Sequence, residues 1–116
     1  MDQSNEPTPL TAFAVLDMRV GRIVRAEPNE RARKPACKLW IDFGPEFGTK
    51  TSSAQIAPLY PVDTLPGRLV ICAVNLGTRN IAGFVSEVLT LGAPDDAGNI
   101  VLLGPERDVP LGGRIF

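Results

Sequence analysis

Histidine is absent from this 116-residue sequence. Its absence removes the commonest general base, the Ser-His pair and most transition-metal sites. Cysteine is scarce. Cys37 and Cys72 form no CxxC motif, cannot hold zinc by themselves, and are expected to pack as small apolar side chains. A glycine-rich phosphate loop is missing too, because Gly44 and Gly48 flank Pro45 and Phe47 and no GK[ST] follows. The acids form no pair suited to glycoside or divalent-metal chemistry, and Asp95 and Asp96 sit in a Pro/Gly turn, where acids are at home. No apolar run approaches the ~20 residues needed to span a bilayer. The N-terminus has no basic stretch followed by an apolar one, so a cytosolic protein with no membrane insertion is expected. Neither catalysis nor a cofactor or metal is expected.

An excess of either charge is also lacking: the net charge is −1. Its distribution is uneven. From Arg19 to Lys50 there are eight basic residues and four acids, a local +4, whereas the rest carries four bases and nine acids, a local −5. A neutral protein can build one basic face this way, although exposed strands carry such charges for ordinary solvation.

What is present reads as short strands with Gly/Pro turns. Residues 1–10 mix Asn, Ser, Pro and acids and are expected to be a flexible segment, with one domain over 11–116. Residues 11–16 suit a short helix capped by Thr11, with Phe13 and Leu16 on one face. Residues 18–27 read as a long first strand whose apolar parity switches at Gly21, which predicts a bulge or bend there. Residues 28–35 form a proline-bounded loop. Along 36–43, Cys37, Leu39, Ile41 and Phe43 alternate with Lys38, Trp40 and Asp42, the pattern of a half-buried strand. A polar third strand spans 49–54, and residues 55–65, broken by Pro58 and Pro61, can hold only helical turns. The run 69–74 reads as a buried strand, 75–83 as a loop, 84–91 as one strand, and 100–103 as a short last strand. Short strands with little helix, a bent first strand and a helical element in mid-chain together favour an all-β, five-stranded OB-fold barrel.

One face of such a barrel could gather Arg33, Lys34, Lys38, Lys50, Ser52, Ser53, Gln55, Asn75, Arg79 and Ser86. The cations would neutralise phosphates, and the hydroxyls and amides would hydrogen-bond phosphate, sugar or base edges. Trp40 or Tyr60 could stack on a base. Each has a blander reading: Trp40 and Tyr60 as packing residues, Ser52 and Ser53 as a strand end satisfying its own backbone, Asn75 as a turn residue.

Residues 17–23, DMRVGRI, resemble the opening of the family of tRNA-binding OB domains. Residues 33–44, RKPACKLWIDFG, with KTSSAQI at 50–56, FVSEVLTLG at 84–92 and VPLGGR at 109–114, resemble the CsaA export-chaperone branch of that family. Cys37 stands where that branch has tyrosine, and Thr78 where proline is common. The resemblance covers residues 13–114. It implies an OB fold, tRNA binding, chaperone-like binding of unfolded preproteins before export, and a homodimer. The dimer would join through the terminal elements, here Phe13, Leu16, Val109, Leu111 and Ile115. A module that only binds tRNA, and a purely structural subunit, are the alternatives.

Overall fold

Residues 6–116 are described by a computed structural model. Residues 1–5 of the segment read as flexible lie outside the described residues. The helix, α1 (Pro9–Val15), starts two residues before the position expected from Thr11. Thr8 is the cap: its Oγ1 accepts from the Thr11 amide at 3.2 Å, and Pro9 takes the first helical position, where a missing N–H costs nothing.

Strand β1 (Met18–Pro28) serves two partners. Met18 to Arg22 pair with β4 (Leu69–Ala73), and Arg22 to Pro28 pair with β2 (Cys37–Asp42). The register slips between Ile23 and Arg25, so the extra residue is Val24 and not Gly21. Val24 turns outward, 49% exposed, which is how a bulge accommodates an apolar residue that the parity cannot place inside. Gly21 has another role. A Cβ there would lie 2.5 Å from Cγ2 of Ile41 and 2.7 Å from Cε1 of Phe43, so only glycine lets β1 cross this part of the core.

β2 alternates as its sequence requires: Cys37, Leu39 and Ile41 are buried, and Lys38, Trp40 and Asp42 face outward. It pairs with β3 (Thr49–Ala54), placing Lys38 beside Ser53 and Trp40 beside Thr51. A 3-10 turn (Val62–Thr64) leads to β4, in the proline-broken stretch where helical turns were expected. The region read as one loop and one strand is more divided. Arg79–Ile81 (β5) and Phe84–Ser86 (β6) form a tight hairpin, followed by β7 (Leu89–Thr90). The hairpin turn holds Ala82 at φ 51° and Gly83 at φ 86°. A two-residue turn of this handedness usually takes Asn, Asp or Gly first, so Ala82 hides the hairpin from sequence reading. A last hairpin pairs β8 (Gly92–Pro94) with β9 (Ile100–Leu102).

The main sheet runs β3-β2-β1-β4-β7. Hydrogen bonds around Thr51 bring its two ends together. The Thr51 carbonyl accepts from the amides of Glu87 and Val88 at 2.8 and 3.1 Å, and the Glu87 carboxylate accepts from the Thr51 amide at 3.0 Å. Ser52 and Thr90 share a hydroxyl contact at 2.8 Å beneath this seam. The result is a nearly closed five-stranded barrel with one short helix, consistent with an OB fold. Ile23, Leu39, Ile41, Phe43, Ile56, Leu65 and Val70 fill it, all fully buried. Burying each stabilises the fold by roughly 1.5–3 kcal/mol.

Beyond the end of β2, the C-terminal segment takes the vacant edge of β1. Gly112 donates to Val20 at 2.8 Å, Val20 to Gly113 at 3.0 Å, and Ile115 to Met18 at 2.9 Å.

Candidate nucleic-acid interface

An open groove of about 740 Å³ lies between two walls. The first is the loop after β1, with Arg31, Ala32, Arg33 and Lys34; the second is the hairpin, with Arg79, Asn80, Ile81 and Ala82; Ser53 and Gln55 form the floor. Among the described residues, four cations line it and no carboxylate does. A smaller notch of about 120 Å³ continues from Ser53 and Arg79 to Ser86 and the apolar side chains of Leu76, Val88 and Leu89. Ser86 is held there by donating to the Val88 carbonyl at 3.2 Å, and its Oγ accepts from the Ser53 amide at 3.0 Å.

The structure therefore brings Arg33, Lys34, Ser53, Gln55 and Arg79 to one concavity and Ser86 to its end. Lys38 lies just outside on the same face, across from Ser53, with its ammonium 5.6 Å from the Phe84 ring centre. Three candidates lie elsewhere. Ser52 is fully buried with its hydroxyl on Thr90, because strand parity sends alternate residues of β3 inward. Lys50 shares that parity near the start of β3 and lines neither cavity. Asn75 is a tether: it accepts from the Asp17 amide and donates to the Val15 carbonyl, both at 2.9 Å, fixing the end of α1 to the end of β4.

The aromatic candidates separate as well. Tyr60 accepts from the Leu102 amide at 3.1 Å and packs against the core, so it is a packing residue. Trp40 stays on the outer face, edge-on to Phe84 at 5.5 Å, with the Arg25 guanidinium 4.4 Å over its ring. Both thiols are buried. Burial pushes Cys72 up to about 11 and raises Cys37 as well, which keeps both protonated and unreactive near neutrality.

Sequence reasoning left Asn29, Arg31 and Asn80 out of the site. Arg31 and Asn80 line the groove, and Asn29 is buried behind it. The available signal was an Asn directly after Pro28, a position that favours an Asx turn. The Asn29 Oδ1 does accept from the Arg31 amide at 3.2 Å.

On the terminal elements, Phe13 is 43% exposed and Val109 37%, while Leu16, Leu111 and Ile115 are half-buried. Arg114 joins these elements by donating to the Ala14 carbonyl at 2.9 Å. None of the residues of α1 is buried.

The sequence profile of the family described as "Putative tRNA binding domain" matches residues 18–114. The chain belongs to this family. The domain is 37% identical over 103 residues to a methionine--tRNA ligase of Deinococcus radiodurans, covering 89% of this chain but 15% of the ligase. It thus spans only a small part of that enzyme. Solved structures match it over nearly its whole length. The chaperone CsaA of Bacillus anthracis is 42% identical, with a TM-score of 0.87 over 96% of this chain and all of that one. The CsaA chaperone protein of Picrophilus torridus is 41% identical, with a TM-score of 0.87 over 95% of this chain and all of that one.

Proposed function

We propose that this chain is a non-catalytic tRNA-binding module whose ligand lies in the basic groove between the 29–36 loop and the β5–β6 hairpin. The observation that carries this reading is the lining of four cations, with no carboxylate among the described residues, around a floor of Ser53 and Gln55. Such a lining attracts a polyanion, and the hydroxyl and amides offer hydrogen bonds that lysines alone do not. Family membership supports tRNA as the polyanion. Lys38 and Ser86 extend the path beyond the groove's ends. The test is tRNA binding across a salt titration. Replacing Arg33 and Lys34 with Glu should weaken binding and flatten the slope of log affinity against log salt by about 2. Unchanged affinity and slope would sink the proposal.

A second activity, holding unfolded preproteins for export in the cytosol, is favoured by the end-to-end similarity to CsaA and by the apolar notch beside the groove. An extended polypeptide could set apolar side chains against Leu76 and Leu89, which are 56% and 49% exposed. Calorimetry with an unfolded substrate should then give a negative heat-capacity change, and its absence would remove this activity.

We further propose that the protein works as a homodimer joined through Phe13, Leu16, Val109, Leu111 and Ile115. A seven-residue helix with no buried residue is too short to be stable alone, and a second copy would cover it.

A further inference from the structure

Asn29 carries no charge and does not line the groove, yet its surroundings tie the groove's two walls together. It is 4% exposed, one of two buried polar residues among those described; the other is Ser52 at the barrel seam. All of its hydrogen-bonding groups are used. Its amide donates to the Ala36 carbonyl at 2.9 Å, its carbonyl accepts from the Ala32 amide at 3.2 Å, and its Oδ1 accepts from the Arg31 amide at 3.2 Å. These three bonds fold the 29–36 loop on itself. The fourth crosses the groove's back: Nδ2 donates to the Ile81 carbonyl of β5 at 3.2 Å, joining residues 52 apart in the chain.

A second contact interlocks the same walls. The Arg31 guanidinium lies against the hairpin turn so closely that a Cβ on Gly83 would be 2.6 Å from Nη1. The hairpin itself is a tense element, with Ala82 at φ 51° in its turn. An Asn whose two side-chain groups serve opposite walls fixes where Arg79 stands relative to Arg33 and Lys34. A phosphate chain has fixed spacing, so cations held at a set separation bind it better than the same cations on walls that drift apart.

We infer that Asn29 is a positioning residue that holds the two basic walls of the groove at the separation the RNA backbone requires. The inference rests on the reading of the groove as the RNA site, and its test separates the two. Hydrogen exchange on the full chain reads the walls without RNA. Asn29→Ala should deprotect the β5–β6 amides while leaving β1 and β2 protected. Asn29→Asp keeps the acceptor for Arg31 but sets a carboxylate oxygen against the Ile81 carbonyl in place of the donor, so it should loosen the hairpin at least as much. Unchanged hairpin protection in a folded variant overturns the inference.

The second arm is tRNA affinity for wild type, Asn29→Ala, Arg79→Ala and the double variant. Each single change should weaken binding roughly tenfold and lower the salt slope by about 1, and the double should be little worse than either. Independent, multiplying losses would overturn the positioning role. If Arg79→Ala and the Arg33/Lys34 charge reversals leave binding intact while the hairpin loosens in Asn29→Ala, the groove is not the RNA site. The role of Asn29 would then be limited to the walls, and the inference as stated would fail.

Discussion

The groove and the terminal face are both exposed, but they ask for opposite partners. The groove is lined by Arg31, Arg33, Lys34 and Arg79 around a polar floor. The terminal face presents Leu10 at 78%, Phe13 at 43% and Val15 at 73% exposure on a helix that buries nothing. One region lowers its free energy by meeting a polyanion and releasing counterions, the other by removing apolar surface from water. Salt should therefore separate the two proposed activities: rising salt should weaken tRNA binding in the groove and leave any self-association through the terminal face intact or stronger.

The largest effect should come from reversing three groove cations together. Arg33→Glu with Lys34→Glu and Arg79→Glu should lower tRNA affinity on the order of 100-fold to 1,000-fold near 0.1 M salt, with self-association measured by sedimentation unchanged. Loss of both would mean the two regions are not separate. Next, Phe13→Asp should weaken self-association by roughly 10-fold to 100-fold, the equivalent of ~1.5–3 kcal/mol of lost burial, again by sedimentation. A variant that associates like wild type would remove α1 from the interface. Smaller still, Gly21→Ala should destabilise the shared barrel by about 1–3 kcal/mol through overpacking against Ile41 and Phe43. Denaturant melts would show this, while tRNA affinity of the folded fraction stays at the wild-type value. The smallest change should be Ala82→Gly. It relieves a left-handed backbone at the hairpin turn and should be neutral or stabilising by up to about 1 kcal/mol.

Much of the fold was legible because the core strands obey simple parity. The alternation of Cys37, Leu39 and Ile41 with Lys38, Trp40 and Asp42 in β2 reads directly from sequence and holds in the structure. Parity could also have separated Ser53 from Ser52, since only one of two neighbours on a strand can face the groove. The bulge was misplaced from Val24 to Gly21 because a glycine can mark either an irregular backbone or a crowded interior, and here it marks the second. The β5–β6 hairpin escaped notice because its strands are three residues long and its turn begins with Ala82. Asn75 and Asn29 illustrate the remaining limit. Both are Asn beside a strand end, yet one ties α1 to β4 and the other ties two groove walls, and only long-range geometry separates them.

The most direct measurement is an NMR titration of the labelled protein with tRNA. Binding in the groove should gather the amide shifts at residues 31–34, 53–55 and 79–86 and leave the α1 and C-terminal amides in place. Shifts concentrated on α1 and residues 109–116, with the groove unmoved, would contradict it.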